Sequence, residues 1–390
     1  MKPAYLGALF LIYAYAACGE EMETQEPQDD VIRLGLYFVY DKEFSDRALF
    51  KVNDSFNAYF TALTRAAQEF FNVPGDLKIF LTLVGSSKLE EEDIVKNTTI
   101  NGNKLNASET LDKLRKIFTW NNTFDASVDI VFLATGKELY IKDSWMTREW
   151  YGLAYPRSIC VGNAAVGIIH DDGATFNGVR RTALQVALLL GAKKDNGKLG
   201  ECPENEERKY LTSSSTDGRI TYLSKCSRAS VRNFYYRVKD SPHICWKDTP
   251  KPAIEDNIGF PVEFYKRFDC DQCHVAEYFR NKTKPGEAIN CSLSTINRNI
   301  DPWPKTTMSS WHYAARKRYR RWYQRNPTTV SPYKDCKQKC CRFMRHATDN
   351  RTGGWYDCWY TRAADGTPCD SQRVCLDGEC SLDYWDMDRR

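Results

Sequence analysis

Histidine is scarce in this chain. The five histidines among 390 residues are His170, His243, His274, His312 and His346, and no two stand at i, i+4 or another spacing that would bring two imidazoles to one metal. That excludes a locally encoded histidine metal centre, and each lone histidine reads as a surface or hydrogen-bonded residue. An excess of charge of one sign is also missing. Lys and Arg number 55 against 51 acidic residues, a formal net charge of +4. No global field therefore calls for a nucleic-acid partner, and any basic site must be local. After the N-terminus no run reaches the ~18 apolar residues of a membrane helix, so no membrane span is expected. No Arg-Gly-Asp tripeptide occurs, and integrin blocking has no motif behind it.

What is present begins with a leader pattern. Met1-Lys2 followed by Ala4 to Ile12 is a positive end and an apolar run too brief to cross a bilayer, and small residues around Ala14, Ala16, Ala17 and Cys18 offer cleavage sites. Residues 1–18 read as a secretory signal, and 19–30 as a short acidic segment. The 15 cysteines fit a secreted chain better as disulfides than as thiols. If Cys18 leaves with the leader, fourteen remain, four from Cys160 to Cys245 and ten from Cys270 to Cys380. Both groups are even. Glycan acceptor sequons at Asn53, Asn97, Asn106, Asn121, Asn281, Asn290 and Asn350 agree with an extracellular destination.

Cysteine density divides the rest near the Pro-containing stretch 248–252, giving domains of 31–250 and 251–390. In the first, the apolar and aromatic content of 31–40, 77–84 and 128–135 predicts strands, and a further strand is expected from 159–161 and 166–169. Helices are expected over 55–71, 108–118 and 178–190, the last almost wholly apolar, ending at Gly191 and hence buried. Alternating strands and helices imply an α/β layer around a central sheet. The second domain has short elements and depends on disulfides for stability.

Two local motifs carry chemistry in principle. Cys270-Asp-Gln-Cys273-His274 matches the pattern of covalent haem attachment, but two half-cystines beside an incidental histidine are the better reading in a disulfide-rich secreted chain. Trp311 to Arg325 spaces Trp311, Ala315, Tyr319 and Trp322 along one helix face, with Arg316, Lys317, Arg320, Arg321 and Arg325 elsewhere around it. Such a basic amphipathic helix is either a grip for a heparin-like glycosaminoglycan or acidic protein surface, or a solvated face over an aromatic core.

The segment Ala183 to Asp195 carries a further reading through its surroundings. Ser158-Ile-Cys160, Val166-Gly-Ile-Ile-His-Asp171, Cys202-Pro203, Tyr210-Leu-Thr-Ser213, Leu223-Ser-Lys-Cys-Ser227, Asp365-Gly-Thr-Pro-Cys369 and Cys375-Leu-Asp-Gly-Glu-Cys380 resemble the reprolysin-type zinc metalloproteases of the metzincin group. The nearest likeness is to those of tick saliva, from about residue 31 to the end. The resemblance implies a metzincin-like α/β domain, its twisted mixed sheet with helices facing a small lower subdomain across a cleft, followed by a cysteine-rich module. It also implies disulfides Cys160–Cys245 and Cys202–Cys226. Metzincins hold zinc through H-E-x-x-H-x-x-G-x-x-H, the Glu being the general base, with a Met-turn below the metal. With Gly191 on the family glycine, Leu184, Leu188 and Lys194 fall on the three ligands, Gln185 on the base and Thr212 on the Met-turn methionine. Leucine has no lone pair, an amide no useful basicity, and an ammonium repels a dication. Zinc is therefore not expected, nor any other cofactor. Active relatives carry a latency segment, for which the dozen residues before the first strand leave no room. The expected function is that of an inactive homologue binding a host extracellular or plasma protein of haemostasis, matrix or immunity. An active endopeptidase and a structural or storage protein are the alternatives.

Overall fold

The computed structural model describes residues 30–48, 55–73, 76–90, 94–95, 99–100, 104–120, 127–140, 152–160, 165–195, 202, 210–213, 222–241, 244–254, 259–268, 273–276, 296–297, 336–345, 354–367, 369, 375–376 and 378–380. Ile32–Arg390 form one compact unit and Met1–Val31 another. The leader, the helix expected over 311–325 and all the sequons except Asn106 lie outside the described residues.

Five strands make the principal sheet: β1 (Val31–Tyr40), β2 (Lys78–Lys88), β5 (Ile130–Thr135), β7 (Gly152–Ala154) and β8 (Ala165–His170), in the order β2-β1-β5-β8-β7. Strands β1, β5 and β8 run parallel, and the short edge strand β7 runs antiparallel to β8. A small second sheet joins β3 (Thr99–Ile100), β4 (Lys104–Asn106) and β6 (Glu138–Tyr140). Every residue of β5 is buried, as a central parallel strand covered on both faces requires. Its side chains alternate: Ile130, Phe132 and Ala134 enter one core and Val131 and Leu133 the other. Gly167 faces Phe132 across the β5–β8 register, where a Cβ would lie 2.5 Å from the ring.

The larger core is roofed by α2 (Ser55–Gln68), which continues as one 3-10 turn (Glu69–Phe71), and by α4 (Val179–Leu189). Within it the Phe38 ring stacks on Phe60 at 4.4 Å, and Phe44, from the short helix α1 (Lys42–Arg47), stacks on Phe60 at 5.3 Å. The opposite face is covered by α3 (Ala107–Trp120) through Leu111, Leu114 and Phe118. Asn106 caps α3, its side-chain oxygen accepting the Glu109 N–H at 3.3 Å.

Beyond the Pro-containing stretch, α6 (Pro261–Arg267) returns to the larger core. Phe264 meets Tyr59 and Phe176 edge-on at 5.6 and 5.3 Å, and the Tyr265 hydroxyl donates to the Ala174 carbonyl. The remaining described chain is a disulfide-rich region. Here β10 (Lys337–Arg345) pairs with β11 (Gly354–Arg362) and β9 (Ile296–Asn297), beside a ribbon of β12 (Cys375–Leu376) and β13 (Glu379–Cys380).

One outer edge of the principal sheet is closed by a side chain and a backbone N–H rather than by a strand. On β2 the Gln68 amide donates to the Ile79 carbonyl and accepts from the Leu81 N–H, both at 2.6 Å. Ala253 N–H then takes the Leu83 carbonyl at 2.8 Å.

The expected strand at 159–161 is corrected. Ile159 and Cys160 lie in a turn, with Cys160 at φ 56°, and the Arg157 and Ile159 N–H groups serve the end of α4 instead of a ladder. The strand begins at Ala165.

Candidate functional site

Helix α4 is fixed at both ends. Asp171 at its start accepts the Gly178 and Gly173 N–H groups and the Tyr59 hydroxyl, each at 2.7 Å. Burial, with Asp172 adjacent, raises this carboxyl to about 6. Asp172 organises the following turn through Ala174 and Thr175, and His170 is held outside it, its Nδ1 2.8 Å from the Lys137 carbonyl.

The C-terminal end is a Schellman turn. Ala192 N–H donates to the Ala187 carbonyl at 2.8 Å and Gly191 N–H to that of Leu188 at 2.9 Å. Gly191 adopts φ 88°, and a Cβ there would stand 3.1 Å from Arg157 and 3.3 Å from Phe234. Arg157 N–H adds a bond to the Leu188 carbonyl at 3.0 Å. Cys160, in the same turn, is bonded to Cys245.

Along the helix, Leu184 is half-buried against the larger core and Leu188 is 7% exposed. Gln185 points toward edge strand β7: a Cβ on Gly152 would lie 2.8 Å from its amide nitrogen. It is 2% exposed, and its Oε1 has no hydrogen-bond partner. Lys194, past the Schellman turn, is exposed.

Asp195 then turns inward. Its carboxylate accepts the Thr212 hydroxyl on one oxygen and the Ser224 hydroxyl, at 2.7 Å, on the other. Thr212 also contacts Ser227 Oγ at 3.1 Å, and Ser227 donates to the Lys193 carbonyl at 2.7 Å. Asp195 N–H donates to the Thr212 carbonyl at 3.1 Å. Ser224 caps α5 (Lys225–Val238), whose Cys226 is bonded to Cys202. Three segments are thus joined by one buried polar cluster with its hydroxyls and carboxylate satisfied. The side chain at 212 works as a hydrogen-bond donor to Asp195, a role that sequence reasoning did not assign.

The donor set does not fit a zinc ion. Two alkyl side chains, an amide and an exposed ammonium supply neither the lone pairs nor the charge that zinc needs. Gln185 contributes one buried oxygen without a hydrogen-bond partner, on an amide whose nitrogen packs against Gly152, and a single neutral oxygen is not a zinc site. Leu184, Gln185 and Leu188 lie on α4, whereas Lys194 lies beyond its end and is exposed. Cys273 is bonded to Cys340, so it offers no thiol for haem attachment, and the adjacent His274 is buried. A carboxyl displaced chiefly by burial lies elsewhere. Asp129, just before β5, is pushed up to about 8 mainly by desolvation, although its Oδ2 accepts the Gly35 N–H at 2.7 Å. Its Oδ1 has no partner.

No protein-family model matches the chain, and no curated protein matches it. Solved structures with similarity include an archaemetzincin from Methanopyrus kandleri, at 15% identity and a TM-score of 0.30, covering 53% of this chain and 97% of that one. A zinc-dependent peptidase from Methanocorpusculum labreanum (strain Z) has 18% identity and a TM-score of 0.28, covering 50% and 100%. An archaemetzincin from Archaeoglobus fulgidus, complexed with malonate, has 14% identity and a TM-score of 0.28, covering 51% and 99%.

Proposed function

We propose that the chain is a secreted, catalytically inactive relative of the reprolysin-type metzincins, with a degenerate protease-like domain to about residue 250 and a cysteine-rich domain beyond it. Its role is to bind or mask a host protein of haemostasis, matrix or immunity, as the resemblance to tick salivary members suggests. The observation that carries this reading is the chemistry of α4. Leu184, Gln185 and Leu188 sit where two ligands and the base of that family would stand, with Gln185 and Leu188 sealed from solvent. Disulfides Cys160–Cys245 and Cys202–Cys226 fasten the segments around that helix, as expected of an oxidising compartment. No described helix is long and apolar enough to cross a membrane.

The test is metal analysis of the purified chain beside digestion of casein and gelatin. No stoichiometric zinc and no cleavage are expected. One zinc per chain, removable by chelator with loss of proteolysis, would overturn the reading.

A further inference from the structure

Helix α5 is charged on its outer side in a way the polar cluster at its start does not use. Lys225, Arg228, Arg232, Tyr236 and Lys239 follow one another at steps of three or four residues, which sets them in a single stripe. Val231, Phe234 and Tyr235 occupy the adjoining, buried face, and Arg237 is exposed about 100° around the helix from Tyr236. At 1.5 Å per residue the stripe is about 21 Å long.

Neutralisation of these charges is slight. Arg228 and Arg232 share one carboxylate, Asp76, with Arg228 at 3.0 Å. Among the described residues Lys225, Arg237 and Lys239 have no carboxylate partner, and the only acid in residues 224–241 is Asp240, just past the helix. The first turn contains no acidic residue and holds Lys225 and Arg228 against the helix dipole, a placement that an approaching anion relieves. Tyr236 is 48% exposed, and Lys239 Nζ stands over its ring, 4.9 Å from the centroid, so a solvent-accessible aromatic ring lies within the row of cations.

We infer that this face of α5 binds a linear sulfated polysaccharide. Guanidinium and ammonium groups spaced along a straight line match a rod of sulfates better than a compact anion, and arginine forks pair with sulfate oxygens. The Tyr236 ring offers a flat surface to the apolar side of a sugar ring. A bilayer is a poorer match, since the stripe has one aromatic residue and no other apolar side chain to insert. The disulfide content is that of an extracellular chain, where the linear polyanions are sulfated glycans. The inference takes only this compartment from the proposed function and deepens its partner side.

The experiment measures binding of the full chain to immobilised heparin over a series of sodium chloride concentrations. The variant Lys225→Ser/Arg237→Ser/Lys239→Ser removes cations that hold no carboxylate and leaves the Asp76 pair intact. It is expected to bind about tenfold more weakly, with a shallower dependence on salt because fewer counterions are released. Tyr236→Ala is expected to weaken binding without changing the salt slope, an effect that loss of charge does not produce. A second charge variant, Arg316→Ser/Lys317→Ser/Arg320→Ser/Arg321→Ser, is expected to keep most of the affinity. Unchanged binding by the α5 variant at wild-type circular dichroism, loss confined to the second variant, or competition by phosphatidylserine vesicles equal to that of free heparin would each overturn the inference. The metal and proteolysis assays do not depend on α5, so either proposal fails without the other.

Discussion

Between β1 and α5 the interior is built from aliphatic and aromatic side chains, with Cys160–Cys245 and Cys202–Cys226 as its two disulfides. Between Cys336 and Cys380 a separate buried cluster consists of Cys336, Ala363, Cys369 and Cys375, with Cys380 packed against it, while Ala364 and Leu376 join the larger core. The first region has helices to lay over both faces of its sheet, and can bury whole phenylalanine rings. The second is a long hairpin and a short ribbon, elements that do not bury enough surface to hold by packing alone. Cys273–Cys340, Cys336–Cys375, Cys341–Cys358 and Cys369–Cys380 take the place of a larger core. Folding is thus driven by solvent exclusion in one region and by restriction of the unfolded chain in the other.

The largest expected effect is in the packed region. Phe60→Ala removes a fully buried ring stacked on Phe38 and Phe44, and should cost about 3–5 kcal/mol in denaturant titration. A loss under about 1 kcal/mol would mean that packing is not what holds the sheet region.

The disulfide-rich region should respond to its own chemistry. Cys336→Ser with Cys375→Ser opens a link across 39 residues and should cost about 2–4 kcal/mol. The loss should appear as faster amide exchange in β10 and β11, while β5 and β8 stay protected. Equal loss of protection in both regions would show that they unfold as one and break the comparison.

The remaining effect is electrostatic and concerns the sheet region alone. The folded-state pKa of Asp129, about 8, lies above the unfolded value, so between roughly pH 4 and 8 the folded chain holds a proton that the unfolded chain has released. This contribution is fully present below the unfolded pKa and is lost as pH rises through 8. Asp129→Asn keeps an acceptor for Gly35 and removes the ionisation. Its melting temperature is therefore expected to exceed that of wild type at pH 8 and to match it near pH 4. An equal gain at both pH values would trace the effect to packing.

Much of the sheet region was legible because its signals are local. The apolar and aromatic content of residues 31–40 coincides with β1 from end to end, and Gly191 marks the end of α4 by a conformation that favours glycine. Other features depend on partners distant in sequence. Nothing near Ile159 announces that its backbone turns to meet α4, and β7 is three residues long, too short for periodicity to register. Thr212 could be seen as a departure from methionine, but its bond to Asp195 spans 17 residues and exists only once α5 is docked. The packing of the Gln185 amide nitrogen against Gly152 likewise joins positions 33 residues apart.

The Gln68 amide on β2 has a consequence for the chain in concentrated solution. An eleven-residue strand at the border of a sheet is a template on which another extended chain can add, and repetition of that step gives a fibre. Gln68 engages the carbonyl and N–H through which an incoming strand would pair, and Ala253 engages the next carbonyl along. Side chain and backbone together thereby act as a chain terminator for intermolecular growth, keeping neighbouring molecules separate at high concentration.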